Sequence, residues 1–125
     1  MIPKKILIID DDDMNTELMI AILKMNGFDT ISAQNGELGL KSLAANKPDA
    51  IVLDVRLPDI DGLSLCKKMK ASQTIPIIIV SGFNEESLEA SLKASGADGF
   101  VSRMQIMSQL PAQLKKLLEN NDLNQ

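Results

Sequence analysis

The chain has 125 residues, 45% of them hydrophobic and 24% charged, which fits one folded domain and argues against both disorder and a multidomain machine. Thirteen bases against seventeen acids give a net charge of −4, so direct nucleic-acid binding is not expected to be the main activity. The absence of histidine removes histidine-based nucleophilic catalysis and the usual zinc ligands, leaving carboxylates, hydroxyls and cations for any chemistry.

The single cysteine, Cys66, offers no internal disulfide, and neither a signal peptide nor a membrane-length apolar run is evident, so a cytoplasmic location with no membrane association is expected. The first apolar run, "KILIID", reads as a strand. It stops at four consecutive carboxylates, Asp10 to Asp13. Such crowding destabilises the charges unless a cation or a hydrogen-bond donor compensates. Helical spacing follows, with Met14, Leu18, Ile22 and Met25 about four apart and Asp13 as the expected cap, Asp12 being left to solvent.

Gly27 closes that helix, and "FDTISA" reads as the second strand. Asn35 starts a helix carrying Gly36, Leu40 and Leu43. "DAIVLD" is the third strand and ends in Asp54. In the loop beyond it, Asp59 and Asp61 read as turn formers and Gly62 as the start of a helix carrying Leu65, Cys66 and Met69. "IPIIIVS" is the fourth strand, and Asn84 caps a helix with Leu88 and Leu92 that ends at Gly96. "DGFVS" is the fifth strand. A last helix carries Leu110, Leu114, Leu117 and Leu118, with Pro111 placing its start near Ser108 to Pro111. A polar tail is expected from about residue 119.

Five strand and helix alternations, with runs such as "IIIV" apolar on both faces, predict a doubly wound α/β domain with a five-stranded parallel sheet spanning residues 1–125. In such folds the site lies beyond the carboxyl ends of the strands. Asp10 and Asp11, Asp54, Ser81 with Gly82, and Ser102 with Arg103 stand at those ends. Three carboxylates facing one another call for a hard cation that takes oxygen ligands, which describes Mg²⁺. An EF-hand loop starting at Asp11 fails, because Thr16 stands where glycine is needed and Ile22 where the bidentate glutamate belongs. Flavin binding fails as well, since four carboxylates would repel the phosphate at the first turn.

The segments "ILIIDDDDMN", "IVLDVRLPDIDG", "IIIVSG" and "GADGFVSR", in that order, resemble the receiver domains of two-component response regulators across nearly the whole chain. The resemblance implies a flavodoxin-like (βα)5 fold with strand order 2-1-3-4-5 and a phosphoryl group accepted by Asp54 as an acyl phosphate. It implies Mg²⁺ held by Asp11, Asp54 and the backbone carbonyl of Arg56, with Asp10 reaching the ion through water. Ser81 would hydrogen-bond the phosphoryl group, Phe100 would match the aromatic switch position, and Gly82 would leave room for the donor. Arg56 and Phe83, flanking the site, imply a slowly decaying phosphoryl state.

Implied partners are a sensor histidine kinase or a histidine phosphotransfer protein, then a downstream protein docking on the fourth helix, fifth strand and fifth helix. Self-association into a homodimer is a further option. An enzyme acting on a separate substrate is not expected beyond self-dephosphorylation, nor is a DNA-binding or enzymatic output within these residues. The family usually places lysine and a cis proline where this chain has Arg103 and Met104. A trans Arg103–Met104 peptide is therefore expected, with a rebuilt loop. That loop leaves two placements for Arg103, in the lysine's catalytic place gripping a phosphoryl oxygen or pointing away from Asp54. If that substitution abolishes switching, the alternative is a pseudo-receiver, a protein-interaction module independent of phosphorylation.

Overall fold

A computed structural model describes residues 2–82 and 86–123, with the backbone alone described at 86–89 and 120–123. Strands β1 (Lys5–Ile9), β2 (Asp29–Ala33), β3 (Ala50–Asp54), β4 (Ile77–Ser81) and β5 (Gly99–Ser102) alternate with helices. These are α1 (Asp13–Met25), α2 (Gly36–Asn46), α3 (Gly62–Ser72), α4 (Glu86–Ser95) and α5 (Ile106–Leu123), the last preceded by a 3₁₀ turn at Arg103–Gln105. The sheet is parallel, in the order β2-β1-β3-β4-β5, which is the doubly wound architecture read from the sequence.

Side chains alternate across each strand. Ile6, Ile8, Val52, Ile78, Val80 and Val101 face α1 and α5, whereas Leu7, Ile9, Ile51, Leu53, Ile77 and Ile79 pack with Leu65, Cys66 and Met69 of α3 and with Leu40 of α2. Together the two layers bury β3 and β4 throughout and β1 from Ile6 onward, as their unbroken apolar runs require. Burial also pushes the Cys66 thiol up from its ordinary value, the Ser95 hydroxyl opposing the shift only in part, so the thiolate needed for redox chemistry is disfavoured.

Four local expectations change. Asp12, not Asp13, caps α1, its carboxylate accepting from the Asn15 amide at 3.1 Å. Starting there, α1 buries Asn15, Met19, Ile22 and Leu23, while Met14 at 81%, Leu18 at 43% and Met25 at 86% remain exposed. The helix has apolar residues on two sides, and spacing alone cannot say which side turns inward. Helix α5 begins at Ile106, not at Ser108 to Pro111, and contains Pro111. The proline removes one hydrogen bond near the helix start, and both Leu110 and Pro111 are buried. The expected polar tail from residue 119 is helical as far as Leu123. The Asn84 cap lies outside the described residues.

Gly27 and Gly96 adopt positive φ values of 86° and 81°, as expected of residues that end helices in the left-handed region. Gly62 is constrained differently. A Cβ there would lie 2.2 Å from the Asp54 carbonyl oxygen and 2.7 Å from Val55 Cα, so only glycine lets α3 start this close to the end of β3. Its amide donates to the Val55 carbonyl at 2.8 Å, and Asp61 caps the helix. Asp59 does more than form a turn: its two oxygens accept from the Gly36 and Glu37 amides at 2.8 and 2.9 Å. These two bonds hold its carboxyl below the ordinary carboxylate value. They also tie the loop after β3 to the start of α2.

Candidate phosphoacceptor site

The register of the sheet brings the acids together. Ile9 pairs with Leu53, so the next residues outward are Asp10 and Asp54, and Ser81 stands at the same edge one strand over. Carboxylate oxygens of Asp10, Asp11 and Asp54 lie within 4.8 Å of one another. Asp10 and Asp54 are nearly buried, at 2% and 4% exposure, while Asp11 is exposed.

Asp10 is held by protein donors. One oxygen accepts from the Asp12 amide at 3.0 Å and the other from the Asn15 side-chain amide. Asn15 was not singled out in the sequence. The available signal was a polar residue placed on the side of α1 that also carries Met19 and Ile22.

On the other side of Asp54, the Arg103 guanidinium donates from Nη2 to Oδ1 at 3.2 Å. The Arg103–Met104 peptide is trans, as expected, since no described peptide bond is cis. Of the two placements open to Arg103, the structure shows the one beside Asp54. A 3₁₀ turn at Arg103–Gln105 follows β5 directly, and the guanidinium lies over Gly82, whose absent side chain would sit 3.8 to 3.9 Å from it. Arginine's length lets it reach the carboxylate from there. Its Nε is buried without a hydrogen-bond partner.

Burial raises the Asp54 carboxyl from 3.8 to about 6; the Asp10 charge adds to the shift, and the Arg103 charge and the Arg56 amide oppose it. Arg56 and Asp61 form a short antiparallel bridge that fixes this loop. Asp54, Val55, Arg56, Ser81, Gly82, Arg103 and Met104 line a cleft of about 360 Å³. Phe100 is half-buried against the core layer on the α3 side, and its carbonyl accepts from the Gln113 side chain at 3.0 Å. Phe83 lies outside the described residues.

The donor set fits a divalent cation. Three carboxylates converge, and one is destabilised as an anion chiefly by burial and by its neighbour Asp10, so a hard ion that accepts oxygen ligands would relieve both costs.

The model of the response regulator receiver domain matches residues 6–115. The chain belongs to this family. The receiver domain is 33% identical over 121 residues to the alkaline phosphatase synthesis transcriptional regulatory protein PhoP of Bacillus subtilis (strain 168), covering 96% of this chain and 50% of that protein. This receiver chain thus spans about half the length of the curated relatives it matches. Among solved structures, a putative response regulator from Chloroflexus aurantiacus J-10-fl superposes with a TM-score of 0.89 at 30% identity, covering 94% of this chain and 99% of that one. The BeF3-activated N-terminal receiver domain of Klebsiella pneumoniae RstA gives 0.88 at 25% identity, with 92% and 98% covered. Receiver domains bind Mg²⁺ at an acidic aspartate cluster, and Asp10, Asp11 and Asp54 form such a group here. No described helix is long and apolar enough to cross a membrane.

Proposed function

We propose that residues 1–125 form one receiver domain that takes a phosphoryl group from a phosphohistidine partner onto Asp54 with Mg²⁺ and signals by changed protein docking. The observation that carries this reading is Asp54 itself, almost fully buried between two carboxylates and one guanidinium at the mouth of a cleft.

A carboxylate oxygen of Asp54 attacks the phosphorus of the donor. The new O–P bond forms as the P–N bond breaks, and the departing imidazole nitrogen keeps the electron pair. Because the attacking oxygen must be ionised, a carboxyl titrating near 6 is partly disarmed in slightly acidic solution. Arg103 opposes that shift and holds Oδ1. Its side chain moves from Oδ1 to a phosphoryl oxygen as charge passes outward, where charge-assisted hydrogen bonds are strongest. Asp11, Asp54 and the Arg56 carbonyl, with Asp10 acting through water, would hold Mg²⁺, which would neutralise charge on the transferring group.

Ser81 lies in the same cleft and serves as the hydroxyl partner of the phosphoryl group. Ser81 and Phe100 carry the change to a docking face on α4, β5 and α5, as one equilibrium biased by phosphorylation. The kinase or phosphotransfer donor, the downstream protein and the cytoplasmic setting belong to this reading.

One observation favours a second reading. The resting ion pair places Arg103 on the acceptor oxygen, as a pseudo-receiver locked by that contact would. Incubation with acetyl phosphate and Mg²⁺, read by intact mass, separates the two. The phosphoacceptor gains one phosphate, and Asp54→Asn gains none; no gain in the parent chain at saturating reagent supports the locked module.

A further inference from the structure

The inward side of α1 carries Asn15, Met19, Ile22 and Leu23, all of them buried. The three apolar members pack in one layer with Ile6, Ile8 and Val52 of the sheet, so a leucine at position 15 would complete the stripe. It would also favour the helix, because asparagine is among the weaker helix formers. An amide taken out of water costs stability unless it finds a partner. A residue that goes against both local preferences is explained by what it touches.

Asn15 touches one of the three clustered acids. Its side-chain amide donates to Oδ2 of Asp10, and the Asp12 backbone amide donates to Oδ1 of the same carboxylate at 3.0 Å. Asp12 in turn accepts, through its own Oδ1, from the Asn15 backbone amide at 3.1 Å. The three residues close a ring at the start of α1. The bond that caps the helix therefore also places the side chain that holds Asp10. A carboxylate gripped at one oxygen can still pivot about its Cβ–Cγ bond. Gripped at both, it cannot turn without breaking a hydrogen bond, and each oxygen keeps a second lone pair for a further donor.

We infer that Asn15 is a positioning residue of the cation site, acting through Asp10, whose remaining lone pairs it keeps in one orientation for a water of the hydrated ion. Asn15 has this role only if the phosphoacceptor reading holds, with Asp11 and Asp54 as the direct ligands. Partners that orient a metal ligand are commonly worth about ten- to a hundredfold in metal affinity. Mg²⁺ demands near-ideal octahedral geometry, whereas Ca²⁺ accepts irregular ligand sets. Loss of orientation therefore falls more heavily on Mg²⁺.

Calorimetric titration of the metal-free chain with Mg²⁺, and separately with Ca²⁺, tests this at a pH well above 6, where Asp54 is ionised. The parent binds Mg²⁺. Asn15→Leu binds it about ten- to a hundredfold more weakly and loses less of its affinity for Ca²⁺. Asn15→Ser, which is smaller and carries no amide to reach Asp10, shows the same selective loss and keeps the test open should leucine disturb the packing. Unchanged Mg²⁺ affinity in both variants, or an equal loss for the two ions, overturns the role of Asn15 and leaves the phosphoacceptor reading standing. A parent chain that binds neither ion overturns both.

Discussion

The two sides of the Asp54 cleft are built by different means. On the side of β1, the acids are held by backbone and side-chain donors from several elements: Asp12 and Asn15 grip Asp10, Asp59 ties the loop after β3 to α2, and Gly62 brings α3 against Asp54 itself. On the side of β5, one arginine crosses the cleft on a 3₁₀ turn, more than a third of its side chain exposed, with a single hydrogen bond to Asp54 and an unpartnered Nε. The first side is fixed before any ligand arrives. The second is a long side chain that meets the resting carboxylate through one hydrogen bond. Acids anchored by several elements and a cation held by one hydrogen bond suit a site whose central charge is transferred outward.

The rigidity of the acidic side is most open to attack at Gly62. Gly62→Ala forces its Cβ into the Asp54 and Val55 backbone, and a loss of about 2–4 kcal/mol is expected in urea unfolding. A loss below 1 kcal/mol would mean that this loop yields easily and that the contrast between the two sides is overstated.

The electrostatic cost on the same side sets a smaller effect with a definite sign. Because Asp54 titrates near 6 in the folded chain and near 3.8 when unfolded, the native state holds a proton that the unfolded state releases between those values. Unfolding free energy therefore falls as pH rises through that window. In metal-free buffer, Asp54→Asn should be more stable than the parent at pH 7, by up to about 3 kcal/mol, with the difference closing towards pH 4. Added Mg²⁺ should raise the parent's stability more than the variant's. A variant less stable than the parent at pH 7 would show that Arg103 more than offsets the burial of the charge.

Much of this was legible in the chain. Strand runs ending in Asp10, Asp54 and Ser81 located the site, because a doubly wound sheet gathers the carboxyl ends of its strands. What the sequence left open were rotations and reach. Both sides of α1 carry apolar residues, so spacing alone did not say that Met19, Ile22 and Leu23 would face the sheet while Met14, Leu18 and Met25 would not. Nothing local to "SRM" encodes that a 3₁₀ turn would bring a long side chain back to Asp54, since where the turn lies is a matter of tertiary packing. Asn15 went unnoticed for the same reason, its role being apparent only once the rotation of α1 is known.

Whether the acids and Arg103 form one working site is tested most directly by the time course of phosphate gain from acetyl phosphate and Mg²⁺, followed by intact mass in the parent and in Arg103→Ala. The account predicts that the parent is phosphorylated and that Arg103→Ala gains phosphate at least about tenfold more slowly, for want of roughly 1.4 kcal/mol or more of charge stabilisation. Equal rates, or faster labelling once the guanidinium is removed, would contradict it and would make the ion pair a lock on Asp54.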